Sequence, residues 1–227
     1  MAEHKKTIKK TEEQEKTEGE EIQTTEHLEK QVLYVVVVGA LIVLIFLGVF
    51  AAIRSSNNFT YDGIPFLKNK LGSIQLYTAQ VPGIDGGTIS FDFRNDPRKL
   101  KDVKVDVNEE LTFLVDRTIY VAIGDVETCE DNGIAAAGLG IFLSGVGMKN
   151  RKSALANETF AKEMNGTYVT CATNPDNTVI IIKSGNETHV KQTSNNCYEL
   201  MSTDCEVLKS LEKFEFIVLA QYMNRLS

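Results

Sequence analysis

The chain has no run of basic residues, no Cys-x-x-Cys spacing, no Gly-x-Ser-x-Gly elbow and, after His27, a single histidine, His189. Each of these gaps closes a class of function. Neutralising phosphates takes a stripe of lysine or arginine, so a chain of formal net charge −7 with no such cluster is not expected to bind nucleic acid. Four cysteines without the Cys-x-x-Cys spacing are poorly arranged for zinc, and neither a metal nor a cofactor is expected. Histidine-dependent nucleophilic chemistry would rest on His189 alone, which falls in an expected hairpin next to a sequon, where an exposed side chain is the ordinary outcome. Gly138-x-Gly140 is followed by Phe142-Leu143, without the third glycine of a dinucleotide loop. The adjacent acids Glu109-Glu110 and Glu130-Asp131 read as helix caps and dipole partners, so no catalytic residue is assigned.

What the chain does have is one long apolar run, Val32 to Ile53, with no charge between Lys30 and Arg54. At about 1.5 Å of rise per residue a helix there covers roughly 33 Å, which matches the hydrocarbon thickness of a bilayer. A helix also satisfies its own backbone hydrogen bonds, which lipid cannot do. The expected organisation is a disordered cytoplasmic tail over 1–30, a transmembrane helix over 31–54 and an extracytoplasmic globular domain over 55–227. The tail is dominated by Glu, Lys, Thr and Gln and has too little apolar surface to offset the entropy of ordering. It is too long and too acidic for the start of a cleaved signal peptide, so the run reads as an uncleaved anchor.

Charges flanking the span do not orient it, because lysine and arginine are nearly balanced on its two sides. Orientation comes from downstream chemistry. Cys129, Cys171, Cys197 and Cys205 all follow the span, as do the sequons at Asn58, Asn157, Asn165 and Asn186. Disulfides and glycans belong to oxidising, extracytoplasmic compartments. Four cysteines allow three pairings. Neighbourhood along the chain favours Cys129–Cys171 and Cys197–Cys205, the second clamping the start of the last helix.

Within the domain, Ser73 to Val81 and Thr88 to Arg94 alternate with period two around Pro82-Gly83 and Asp85-Gly86-Gly87, the pattern of a β-hairpin. Apolar stretches follow at Val103 to Val107 and Leu111 to Val115. Thr118 to Ile123 and Thr178 to Lys183 are nearly continuous apolar, β-branched runs suited to strands buried on both faces. Thr188 to Gln192 is expected to pair back on the second of these. Ile134 to Met148 is apolar all round and rich in Gly and Ala, which predicts a buried helix; as a second span it is too short. Ser153 to Met164 reads as an amphipathic helix and Tyr168 to Cys171 as a short strand. Ser202-Thr203-Asp204 caps a final amphipathic helix running to Leu226, with one face on the sheet. The fold class is therefore α+β or α/β: one transmembrane helix plus a mixed-sheet ectodomain with an N-terminal hairpin, a buried Gly/Ala-rich helix and a C-terminal amphipathic helix.

The combination of an N-terminal span, Arg94-Asn95-Asp96-Pro97-Arg98, Tyr168-Val169-Thr170-Cys171, Gly185-Asn186-Glu187-Thr188, Cys197-Tyr198 and Cys205-Glu206 resembles uncharacterised single-pass surface proteins of small archaeal genomes. The resemblance covers most of the domain and implies no activity and no site residues. From the residues themselves, Arg94 and Arg98 are candidate contacts for an anionic ligand, with bridges to neighbouring carboxylates such as Asp92 and Asp96 as the alternative. The partners expected are the lipid bilayer and another surface protein or an envelope component. The leading expectation is a membrane-anchored, non-enzymatic binding module. Its alternatives are a carboxylate-dependent ectoenzyme acting on envelope material, which needs an acidic cleft, and membrane remodelling through the Gly/Ala stretch, which needs Ile134 to Met148 free of the core.

Overall fold

The computed structural model describes residues 31–52, 57–83, 86–108, 110–114, 116–126, 129 and 131–226. The expected tail, the end of the expected span, Ser55, Ser56, Asp85, Val115 and one acid of each carboxylate pair, Glu109 and Glu130, lie outside the described residues. Helix α1, Gln31–Ala52, has 22 residues and is long and apolar enough to cross a membrane. Contacts divide the chain between Ser56 and Asn57, and the unit from Asn57 onward is a mixed α/β domain.

That domain begins with an antiparallel meander of four strands, β1 (Asn58–Tyr61), β2 (Ile64–Leu71), β3 (Ile74–Pro82) and β4 (Thr88–Phe93), in the order β1-β2-β3-β4. The hairpin expected from Ser73 onward is β3–β4, with Tyr77 opposite Phe93 and Val81 opposite Ile89. One face carries Ile64, Phe66, Ala79, Val81, Phe91 and Phe93, all buried, as period-two alternation requires. A 3-10 turn at Pro97–Asp102 then leads to β5 (Lys104–Asp106). The apolar residues from Leu111 form no strand, although Leu111 itself is fully buried.

The second sheet has six strands in the order β5-β9-β10-β8-β6-β7, with β6 at Ile119–Ile123, β7 at Arg151–Leu155, β8 at Thr178–Ser184, β9 at His189–Ser194 and β10 at Cys197–Ser202. β8 is buried on both sides, with Ile180 and Ile182 facing the main core and Val179 and Ile181 facing a smaller cluster behind the sheet. β9 does not pair back on β8 as expected. Instead β10 lies between them, antiparallel to β9 and parallel to β8. The apolar alternation of Tyr198 and Leu200 wins this central position; both are fully buried.

Helix α2 (Asn132–Gly145) and helix α4 (Val207–Leu226) form a layer between the two sheets. Aromatic contacts on α4 show this directly. Phe214 packs on Tyr198 of the six-stranded sheet, with centroids 5.4 Å apart, and Phe216 packs on Tyr61 of the meander at 5.3 Å. Residues two apart on a helix point to nearly opposite sides, so α4 is buried on two faces and not on the single face expected. Helix α2 buries Ala135, Leu139, Phe142 and Leu143 in the same core but leaves Ile134 and Ile141 exposed, so the expected Gly/Ala helix is present but buried along one face and not all round.

Three local expectations are corrected. Ser153 to Met164 is not one helix: Arg151–Leu155 completes the sheet as β7, and only α3, Glu158–Glu163, is helical, with Asn157 Oδ1 accepting the Phe160 N–H as its cap. Tyr168 to Cys171 forms no strand beyond an isolated bridge between Leu155 and Tyr168. The disulfides are Cys129–Cys205 and Cys171–Cys197, not Cys129–Cys171 and Cys197–Cys205. The extended strand β10 occupies Cys197–Ser202, and at about 3.3 Å per residue it carries the chain roughly 16 Å from Cys197, beyond the 7 Å reach of a bridge. Cys197 lies in the cluster behind the sheet, where the segment carrying Cys171 also packs. Cys205 lies in the turn before α4, in reach of the approach to α2.

Candidate functional site

A pocket of about 300 Å³ opens between the meander, α2 and α4. Its apolar walls come from Phe91, Ile134, Ile141, Phe142, Leu208 and Leu211, and its polar groups are Ser90, Asp92, Arg94, Glu212 and Glu215. On α4, Leu208, Leu211, Glu212 and Glu215 fall three and four residues apart, so they share the helix face turned toward the opening. From β4, Ser90, Asp92 and Arg94 follow at intervals of two and share the other side of the sheet from Phe91 and Phe93. Phe91 nonetheless reaches α2, its ring centroid 4.9 Å from that of Phe142.

The three carboxyl groups differ in their partners. Glu212, 4 % exposed, accepts the backbone N–H of Arg94 at 2.6 Å through Oε1 and, through Oε2, the backbone N–H and side-chain amide of Asn95 at 2.9 and 2.8 Å. It thereby caps the end of β4, where the chain leaves the ladder and its N–H groups need an acceptor. Burial raises the Glu212 carboxyl above its ordinary range, and the hydrogen bonds from Arg94 and Asn95 pull the other way. Asp92 accepts the hydroxyl of Thr78 at 2.6 Å, and Thr78 in turn accepts from Asn69 Nδ2 at 3.0 Å. Glu215 is 5 % exposed, and its Oε1 has no hydrogen-bond partner. Burial pushes its carboxyl well above the usual carboxylate range, with the charge of Glu212 adding to the effect. Burial thus favours the uncharged form of Glu215 over the charged one.

Arg94 and Arg98 do not form a joint anion clamp. Arg94 lines the pocket and pairs with Asp131 at 2.9 Å, which takes the Asp131 side chain away from the capping role expected at the start of α2. Arg98 is bound to Asp96 through Nε at 2.9 Å and through a second nitrogen at 2.6 Å, and stacks over the Phe59 ring at 4.3 Å. Bridging to a nearby carboxylate thus describes Arg98, whereas the partner of Arg94 is 37 residues away.

His189 is buried, 4 % exposed, contrary to the exposed hairpin position expected. β9 is flanked by β5 and β10, which covers the ring. Its Nε2 lies 3.0 Å from Asp106 Oδ2 without the alignment of a hydrogen bond, and its Nδ1 lies 3.6 Å from Glu187. Among the described residues no three His, Cys, Asp or Glu side chains converge as a metal site would need.

The sequons separate by environment. Asn58, Asn165 and Asn186 are exposed. Asn157 is engaged at both ends, its Nδ2 donating to Asp125 at 2.7 Å and its Oδ1 accepting from Phe160.

Glu212 and Glu215 were not singled out from sequence. The signal was present: Leu211, Glu215 and Leu219 lie at four-residue spacing, so a carboxyl interrupts the apolar stripe of the last helix. Comparison with family models, curated proteins and solved structures finds no match for this chain. The apolar N-terminal helix and the two disulfides suggest a secreted or membrane-anchored extracytoplasmic domain.

Proposed function

We propose that this chain is a single-pass surface protein, N-terminus cytoplasmic and domain outside, whose ectodomain is a non-enzymatic binding module that takes its ligand in the pocket between β4, α2 and α4. The observation that carries this reading is a pocket of about 300 Å³ whose apolar walls hold the carboxyl-bearing residues Asp92, Glu212 and Glu215. A mostly apolar cleft between elements with a few polar groups on its walls is the ordinary form of a ligand site. The anchor and outward orientation are supported by α1, by four cysteines paired in two bridges and by exposed sequon asparagines, all three of them after the span. The resemblance to archaeal single-pass surface proteins belongs to the same proposal.

The second reading, a carboxylate-dependent ectoenzyme acting on envelope material, is favoured by one observation: Asp92 from a strand and Glu215 from a helix line one pocket, and burial raises the Glu215 carboxyl. Membrane remodelling is not carried forward, because insertion of α2 would withdraw Ala135, Leu139, Phe142 and Leu143 from the core.

The test is to add solubilised envelope fractions to the full-length protein in lipid nanodiscs and follow both retention and chemical change of the bound material. Recovery of an unaltered component, lost when Gly138 on the pocket wall is replaced by Phe, is the expected result. Turnover abolished by Asp92→Asn would move the protein to the enzyme class. Retention indifferent to the pocket substitution would overturn the assignment of the site.

A further inference from the structure

We infer that the tip of the β2–β3 hairpin makes a second contact with the bilayer, its apolar pair Leu71 and Ile74 in the interfacial layer and Lys68 and Lys70 against anionic headgroups. The inference rests on the membrane anchor proposed above and adds to it a lipid-binding surface on the domain.

Strand register sets the direction of the hairpin. Asn58, the first residue of β1, lies opposite Leu67, and β2 runs on past it to Leu71, which pairs with Ile74. On the other flank β4 ends at Phe93, opposite Tyr77, and Tyr77 in turn lies opposite Lys68. Beyond Lys68 the hairpin is therefore a two-stranded ribbon with no neighbour in the sheet among the described residues. It points toward the end of the meander at which the chain enters from the apolar run. From Leu67 to Leu71 it extends about 13 Å at ~3.3 Å per residue. Four steps of chain join Arg54, the first charge after that run, to Asn58, and they reach at most about 14 Å. The hairpin is long enough to return to the level at which the apolar run ends.

Its side chains fit lipid. Leu71 is 68 % exposed and Ile74 41 %, so neither serves the core. They close on the turn Gly72-Ser73, with Gly72 at φ +62°, where hairpins ordinarily carry polar residues. Directly opposed residues of an antiparallel pair share a face, so the two form one apolar knob. Lys68 and Lys70 stand on the other face, exposed and without a carboxylate partner among the described residues. From Lys68 to Tyr77 there is no acid, in a chain of formal net charge −7. A second copy of the tip would set lysine against lysine, and an apolar protein groove would leave both lysines unused. An anionic lipid surface takes the knob and the charges together.

The test uses the full-length chain with both disulfides intact, in nanodiscs of phosphatidylcholine with or without phosphatidylglycerol, carrying one fluorescent dye on an added cysteine. Nitroxide-bearing lipids quench the dye on contact. Val43→Cys, within α1, reports the anchor and Ser73→Cys reports the tip. Thr88→Cys, opposite Pro82 and about 26 Å along β3 from Ile74, is the control. The expected result is quenching at Val43→Cys by nitroxides deep in the acyl chains. Headgroup nitroxides should quench Ser73→Cys about threefold or more above Thr88→Cys, most strongly with phosphatidylglycerol. Leu71→Ser with Ile74→Ser, or Lys68→Glu with Lys70→Glu, should bring Ser73→Cys down to the control. All four side chains are exposed, and an unchanged urea midpoint shows that the fold is kept. Quenching at Val43→Cys alone, or quenching at Ser73→Cys that survives both pairs of substitutions, overturns the lipid contact and leaves the anchor standing. Absence of quenching at Val43→Cys overturns the anchor and the contact together.

Discussion

The carboxylate of Glu212 accepts the backbone N–H of Arg94 at 2.6 Å, joining residues 118 apart in sequence. The last helix is fastened to the end of the meander by this contact and by the two that Glu212 makes with Asn95. Removing the acceptor leaves buried N–H groups unsatisfied, while removing the charge relieves some desolvation. Glu212→Ala is expected to cost about 2 kcal/mol of stability and Glu212→Gln less, because the amide oxygen still serves one donor. Urea unfolding of the two variants side by side checks the order.

Glu215 gives stability a pH dependence of known sign. Its folded pKa lies well above the unfolded value, mainly through burial. The contribution of such a group is fully present below the unfolded value, near ~4.3, and is lost as pH rises through the folded value. Wild-type protein should therefore lose stability relative to Glu215→Gln as pH rises from about 4 toward neutrality. In acid the two should nearly coincide. Thermal unfolding across that range measures the difference, and Glu212, raised in the same direction, is common to both proteins.

The two bridges close loops of different length, 76 residues for Cys129–Cys205 and 26 for Cys171–Cys197. Loop-closure entropy assigns them about 4.5 and about 3.5 kcal/mol. Replacing Cys129 and Cys205 by serine should destabilise more than replacing Cys171 and Cys197. Peptide mapping without reduction should recover 129 linked to 205 and 171 linked to 197.

Two glycines of α2 should respond oppositely to alanine. A Cβ at Gly145 would come within 2.5 Å of the Phe91 ring, whereas at Gly138 it meets nothing within 4 Å. Gly145→Ala pushes on a buried ring at the edge of the pocket and should cost about 1–3 kcal/mol. Gly138→Ala should gain up to about 1 kcal/mol from helix propensity. Denaturant midpoints of both variants decide it.

In a glycosylating host, occupancy is expected at Asn58, Asn165 and Asn186 and not at Asn157. Attachment at Asn157 would consume the nitrogen that donates to Asp125. Asn157→Ala should cost about 1 kcal/mol through loss of the α3 cap. Glycopeptide mass spectrometry reports each site separately.

Local patterns were legible wherever a segment's neighbours are its own sequence neighbours. Val32 to Ile53 announces a long apolar helix by length and composition alone, and Gln31–Ala52 is one. Ser73 to Arg94 shows the β3–β4 hairpin because a short turn joins the two strands. Thr178 to Lys183 reads as a buried central strand because both of its faces are apolar. The failures lie where distant chain decides. β10 takes the place beside β8 that sequence order assigns to β9, and this displacement also separates Cys197 from Cys205. Ser153 to Leu155 was read with the helix after it because alternation over so few residues is weak against helical spacing further on. The pocket was hidden because burial of Glu215 depends on the meander covering α4, and an amphipathic stripe on one sheet would have left that carboxyl in water.

The central position of β10 and α4 sets an order of assembly. Residues 197–219 supply the strand that joins two halves of one sheet and the helix that fills the space between both sheets. During synthesis, β8 and β9 are made before the strand that separates them exists to pair with. Cys171 likewise arrives ahead of Cys197, and Cys129 well ahead of Cys205. Folding is therefore gated by delivery of the segment from Cys197 onward, and until then Cys129 and Cys171 lack their partners.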